Sequence, residues 1–210
     1  MVIPSLIIPF AGTKENGETG KTRIRGDNRV DFWQLIEGRR SIRKYKRDPV
    51  EPEKVAKILE AALRAPSSRN LKPWEFIAVT EPALLAQLAK ARQHNAFLKE
   101  APLAIVVCAD PAKCDVWVED AAIATTLIGL AATALGLGHC WLQIRNRDHS
   151  PEQTAEEYVR AVLQIPAHLK VEAIVAIGYP AEEKAGHPRT GLAFDKLHHN
   201  VYGRRFTGLP

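Results

Sequence analysis

The residue types best able to do chemistry crowd into three short stretches. The first is Arg39-Arg40-Ser41-Ile42-Arg43-Lys44-Tyr45-Lys46-Arg47, six cations in nine residues with no acid among them. Arginine forks match phosphate oxygens, and a serine hydroxyl beside them adds a neutral donor, so this run reads as a cradle for a phosphate ester. The same composition also describes a solvated basic face with no ligand, and on composition alone both readings stay open. The second stretch, Ala65-Pro66-Ser67-Ser68-Arg69-Asn70-Leu71-Lys72-Pro73-Trp74, is a stiff loop dense in hydrogen-bonding groups. Its serines and asparagine serve either a ligand or the loop's own turns. The third, Leu135-Gly136-Leu137-Gly138-His139-Cys140-Trp141-Leu142-Gln143-Ile144, holds two glycines that permit close backbone approach, but no third glycine to make a dinucleotide fingerprint.

Other candidates carry less. The seven histidines show no HExxH or His-x-His spacing, so no metal site is expected. His139 and Cys140 are adjacent and on a strand face opposite sides, which argues against a nucleophile pair. Cys108, Cys114 and Cys140 are odd in number and form no CxxC, as expected of reduced, buried thiols in a cytoplasmic protein. Glu119 and Asp120 suit the positive end of the helix that follows them.

The elements that must position these stretches can be read from periodicity. The chain has 210 residues, 46% hydrophobic and 25% charged, which excludes a largely disordered polymer. Its net charge of +5 falls entirely within residues 1–50, where eleven Lys/Arg face six Asp/Glu. A surface that coats nucleic acid is therefore not expected. Residues 1–29, poor in large apolar side chains after Phe10, read as a flexible arm, and 30–210 as one domain. Within it the spacing predicts a short helix from Asp31 to Glu37 and helices over 52–64, 82–92, 116–136 and 155–163. Strands are expected over 74–80, 103–109, 139–144 and 172–178. The uncharged span Ala121–Ile144 is broken by Gly136 and Gly138, and reads as a buried helix and strand, not a membrane crossing.

Taken in series, Arg-Arg-Ser-Ile-Arg-x-Tyr, Ala-Pro-Ser-Ser-x-Asn-x-Lys-Pro-Trp, an alanine-rich helix into Gly-Leu-Gly-His-Cys-Trp-Leu, and Ala-Ile-Gly-Tyr-Pro resemble the nitroreductase family over residues 31–203. The resemblance implies a single α/β (α+β sandwich) domain, a mainly antiparallel or mixed sheet with helices on both faces, in an intertwined homodimer with FMN at the interface. It implies an FMN-dependent oxidoreductase that passes hydride from NADH or NADPH to a nitroaromatic, quinone or similar small acceptor by a ping-pong mechanism. Alternatives on the same scaffold are an enone reductase, a dehalogenase or a flavin-holding module without turnover. By position, Arg39, Arg40, Ser41 and Arg43 correspond to the family's phosphate and ribityl cradle. Ser67, Ser68 and Asn70 match the loop that approaches the partner's flavin, and Leu142 and Gln143 stand where backbone N–H groups face the flavin N5 region. Arg189 resembles the late cation that completes the phosphate site. Gln143 replaces a frequent glycine, and Lys72 a frequent glutamine. No residue is expected to act as acid, base or nucleophile, because the flavin carries the chemistry.

Overall fold

The apolar run Leu103–Ala109 is the axis around which the chain is built. In the computed structural model, which describes residues 31–206, it forms a strand buried along its whole length. Its alternate side chains feed two cores. Ala104, Val106 and Cys108 face one, and Leu103, Ile105, Val107 and Ala109 face the other. A strand covered on both faces reads as a continuous apolar run, not an alternating one. The expected N-terminal arm lies outside the described residues.

Numbered in chain order, the strands are β1 (Trp74–Val79), β2 (Leu103–Ala109), β3 (Gly138–Gln143), β4 (Asp148–Ser150), β5 (Gln153–Thr154) and β6 (Lys170–Gly178). The helices are α1 (Phe32–Gly38), α2 (Pro52–Leu63), α3 (Pro82–Leu88), α4 (Trp117–Ala134) and α5 (Ala155–Leu163). Four strands make one sheet in the order β1-β2-β6-β3, every neighbouring pair antiparallel. Strands β4 and β5 form a separate small hairpin. Helices α3 and α5 cover one face, and α2 and α4 the other.

Local chemistry sets the ends of these elements. Asp31 caps α1 by accepting the N–H groups of Trp33 and Gln34. Thr154 and Glu157 form a reciprocal capping box at the start of α5. Helix α4 stops where Gly136 takes a φ of +76° and Leu137 N–H bonds back to the Ala132 carbonyl, a left-handed stop that glycine adopts without strain. The helix expected over 82–92 ends at Leu88 and continues as 3-10 turns over Ala89–Ala91 and Gln93–Glu100. Among the described residues no helix is long and apolar enough to cross a membrane. All three cysteines are buried and free, and burial pushes the Cys108 thiol up to about 12.

Candidate functional site

The cationic run is laid against β3. Ser41 forms a parallel bridge with His139, and Ile42 N–H donates to the His139 carbonyl at 2.9 Å. Ile42 itself is buried against Gly138, where an added Cβ would meet its side chain at 2.9 Å. The apolar residue inside the basic run is therefore the anchor that seats the cations at the sheet edge. The Arg40 guanidinium donates to the Ala185 carbonyl and is committed to holding the returning tail. Arg43 is exposed, with its guanidinium 5.8 Å from the centre of the Phe97 ring. Arg39 and Ser41 turn into a hollow of about 170 Å3, lined also by Thr125, Thr126, His139, Trp141 and Val175.

His139 sits in the wall of that hollow, 9% exposed, with Nε2 lacking a partner among the described residues. Burial, with the Arg39 charge beside it, pulls its imidazole down to about 4, so the ring is neutral near pH 7. A guanidinium and a serine hydroxyl face the hollow beside an unpartnered imidazole nitrogen, while Thr125 and Thr126 donate their hydroxyl protons to the Ala121 and Ala122 carbonyls and offer it acceptor oxygens only. Such a set suits a phosphate monoester and the hydroxyls of a ribityl chain, and the residues present thus fit FMN. The hollow is smaller than the roughly 300–1,000 Å3 usual for ligand pockets.

The second stretch stands elsewhere. Ser68 N–H donates to Asp120 Oδ1 at 2.9 Å, which fastens the loop to the first turn of α4. Ser67 Oγ accepts the Lys72 N–H at 3.0 Å, so that hydroxyl closes the loop's own turn. Asn70 is exposed, and its amide makes no hydrogen bond among the described residues. Arg69, Asn70 and Lys72 all hold positive φ, at 53°, 56° and 48°, a left-handed conformation that costs non-glycine residues free energy. At about 100° per residue, Asp120 and Gly129, which carries the His139 ring, are about 180° apart around α4. Within one chain the loop and the cradle therefore occupy opposite faces of the same helix.

The third stretch supplies main-chain groups. Since the His139 carbonyl points to Ile42, away from β6, alternation gives the same outward direction to the N–H and C=O of Trp141 and Gln143. Leu142 points its N–H into the ladder with β6, and its side chain is buried. Arg92 Nη1 donates to the Gln143 carbonyl at 3.0 Å. The Gln143 side chain folds away from the edge: Oε1 accepts Trp141 Nε1–H at 2.9 Å, and Nε2 donates to Glu172 Oε1 at 3.2 Å. Burial raises the Glu172 carboxyl above its ordinary range, while the Gln143 bond and Arg145 work against that rise. Arg189 is exposed, four residues beyond Ala185, with its guanidinium 5.1 Å from the Phe194 ring centre.

Sequence reasoning missed Thr125, Thr126 and Trp141 as walls of the hollow, Arg92 as the clamp on Gln143, and Asp120 as the anchor of the loop. Each acts across a long sequence separation, and the adjacent Thr125 and Thr126 in the uncharged middle of α4 left the clearest local trace.

Residues 36–179 match the sequence profile of the nitroreductase family. A solved structure of an FMN-dependent nitroreductase from Clostridium difficile R20291 is 47% identical, covers 81% of this chain and 100% of its own, and superposes with a TM-score of 0.80. An NADH dehydrogenase of Thermus thermophilus is 35% identical over 187 residues, 76% of this chain and 90% of the relative. An iodotyrosine deiodinase of Thermotoga neapolitana is 24% identical over 187 residues, 75% of this chain and 93% of the relative.

Proposed function

Because this chain belongs to the nitroreductase family, we propose that it passes electrons as hydride from NAD(P)H to a nitroaromatic, quinone or similar small acceptor by a ping-pong mechanism, from an FMN held between two copies of the chain. Its class is an NAD(P)H-dependent flavin oxidoreductase with FMN as cofactor. When bound, FMN supplies the two-electron chemistry. The protein's part is binding, orientation and electrostatics. Arg39 and Arg43 neutralise the phosphate, and Ser41 adds a donor to the ribityl chain. The outward Gln143 N–H is a fixed main-chain donor at the flavin edge, and Arg92 prevents that peptide from turning. Ser68 and Asn70 act on the partner's flavin, and Arg189 closes the phosphate end. No side chain need act as acid, base or nucleophile. The acceptor is chosen by whatever lines the open face, which differs among enzymes of one fold. Three buried free thiols suit a cytoplasmic setting.

The observation that carries this reading is the half-built hollow: phosphate-matching donors and an orphaned buried imidazole in a space too small for a nucleotide, with the remaining polar loop on the far side of α4. Exposed Phe32, Trp33 and Ile36 on α1, and Phe194, Tyr202 and Phe206 in the tail, are the apolar cover a second copy would bury. The test is anaerobic rapid mixing of the purified protein. Flavin absorbance should be present, should bleach with NADH or NADPH before any acceptor is added, and should return on mixing with a nitroaromatic or quinone. Initial rates should give parallel double-reciprocal lines. Arg39→Ala with Arg43→Ala should abolish flavin retention. A protein that takes up no added FMN would refute the proposal.

A further inference from the structure

Asp120 is 3% exposed, and among the described residues no cation pairs with its carboxylate. Burying a charge is unfavourable unless its hydrogen-bonding capacity is used. Here each oxygen has a task. Oδ1 accepts Ser68 N–H at 2.9 Å, and Oδ2 accepts the thiol of buried Cys114 at 3.3 Å. The helix start alone would accept a carboxylate in water, as it does Glu119, which is exposed. A carboxylate drawn inside and spent on a main-chain N–H of a distant loop is doing something else.

That loop needs holding. Three of its four residues from Arg69 to Lys72 are in the left-handed region, none of them glycine. Such a conformation persists only where its surroundings over-determine it. The internal ties are few: Ser67 Oγ to Lys72 N–H, Asn70 N–H to the Ser67 carbonyl, and Leu71 N–H to the Ser68 carbonyl, each at 3.0 Å. The Arg69–Asp115 ion pair is exposed at both ends and holds weakly. Among the described residues, the one other hydrogen bond from Ser67–Lys72 to the rest of the domain is Ser68 N–H to the buried Asp120 carboxylate. It lies two residues before Asn70, whose amide is left free to point outward.

We propose that Asp120 is a positioning residue. It holds the strained Ser67–Lys72 loop in the form that presents Asn70 to the flavin of the second copy, with α4 as the rigid spacer between this anchor and the His139 face of its own half-site. The inference rests on the interfacial flavin reading above and deepens it.

The experiment uses the full chain, with and without excess FMN, and four variants. Asp120→Ala deletes the acceptor. Asp120→Asn keeps an oxygen for Ser68 N–H. Ser68→Pro removes the N–H and leaves the buried carboxylate in place; Ser67 already has the extended backbone, φ −140° and ψ 154°, that a following proline requires. The first readout is tryptic cleavage at Arg69–Asn70, which reports loop opening independently of activity. The second is FMN affinity with the flavin's visible spectrum, and the third is thermal unfolding. In Asp120→Ala and Ser68→Pro, cleavage should rise at least about tenfold and the FMN Kd should rise about tenfold with a shifted spectrum, the fold remaining cooperative. Asp120→Asn should stay within about threefold of the wild type on both. If Asp120→Ala fails to fold, Ser68→Pro decides by comparison with Ser68→Ala, which loses the same hydroxyl but keeps the N–H to Asp120. Ser68→Pro must exceed Ser68→Ala in both cleavage and FMN loss, and equal behaviour of the two overturns the proposal. Unchanged cleavage overturns the proposal. So does cleavage that rises while FMN affinity and spectrum stay put, since Asp120 would then be only a structural staple. A wild-type chain that takes up no FMN fails the flavin reading itself, a result seen before any variant is made.

Discussion

The imidazole of His139 rests on the backbone of Gly129, so closely that a Cβ added to Gly129 would lie 2.5 Å from the ring. This contact fixes the separation between β3 and α4 at the point where the hollow opens. It explains why a glycine sits in the middle of an alanine-rich helix: the ring occupies the volume that any side chain would need. It also holds the ring in the wall shared with Arg39 and Ser41.

Gly129→Ala should therefore displace His139. Overpacking in a core costs about 1–3 kcal/mol, partly offset by a gain of up to about 1 kcal/mol in helix propensity. The variant should bind FMN at least about tenfold more weakly, by equilibrium titration. Adding His139→Ala should recover much of the lost stability in urea unfolding, because the ring that clashes is gone. Two destabilisations that simply add would show that the contact is not what couples them.

The same ring predicts an acid limb in stability. His139 is held neutral down to about 4 by burial and the neighbouring Arg39 charge, against an ordinary value of 6.5. A histidine depressed in this way adds stability that is complete above about pH 6.5. That stability is lost as pH falls from there to about 4, because the unfolded chain binds the proton first. Melting temperature should fall over that window by an amount matching at most about 3 kcal/mol. In His139→Gln the curve between pH 6.5 and 4 should be flatter.

How much of this could be read from residues alone depended on whether the signal was local. Strand β2 was legible to the residue because an apolar run of seven, with β-branched Ile105, Val106 and Val107 at its centre, is bounded by Pro102 and Asp110. Helix α4 was legible to within two residues at either end, since Gly136 is the only stop it needs. The 3-10 turns over Gln93–Glu100 were not, because Gln-His-Asn-Ala-Phe-Leu-Lys-Glu has no sustained helical stripe. The β4–β5 hairpin was too short, at three and two residues, to show alternation. At the site, Arg39 and Ser41 stood out by type. Asp120 did not, because its place at a helix start already explained it and its partner Ser68 is 52 positions away.

Gln143 stands where a glycine is frequent, and its half-buried side chain is spent on intramolecular partners. It accepts the Trp141 indole N–H and donates to Glu172. Gln143→Gly should leave a half-buried indole donor and a buried carboxylate oxygen without their partner, at a cost of about 1–3 kcal/mol in urea unfolding. It should also raise the Glu172 carboxyl further, since the Gln143 bond is what opposes burial most. A carboxyl raised in the folded state adds stability below its ordinary value, and that stability is lost as pH rises through the folded value. The variant should therefore be more impaired at pH 8 than at pH 5. Equal impairment at both would mean that Glu172 does not feel the loss.

Helix α1 gives the sharpest test of the interface. It has seven residues and buries none of them, while Phe32 is 60% and Trp33 69% exposed. A seven-residue helix is not stable on its own in water. Its tie to the cradle is direct, because Gly38 ends it and Arg39 follows, and Gly186 packs so tightly there that an added Cβ would strike the Glu37 carbonyl. If a second copy covers Phe32 and Trp33, Trp33→Glu buries a charge in an apolar contact and should raise the dimer dissociation constant at least about tenfold by sedimentation equilibrium. FMN should be lost in parallel, with the far-ultraviolet circular dichroism of the domain retained, because the charge lies outside both cores. A Trp33→Glu monomer that keeps its full complement of FMN would show that one chain suffices to hold the flavin, and the interfacial site would be wrong.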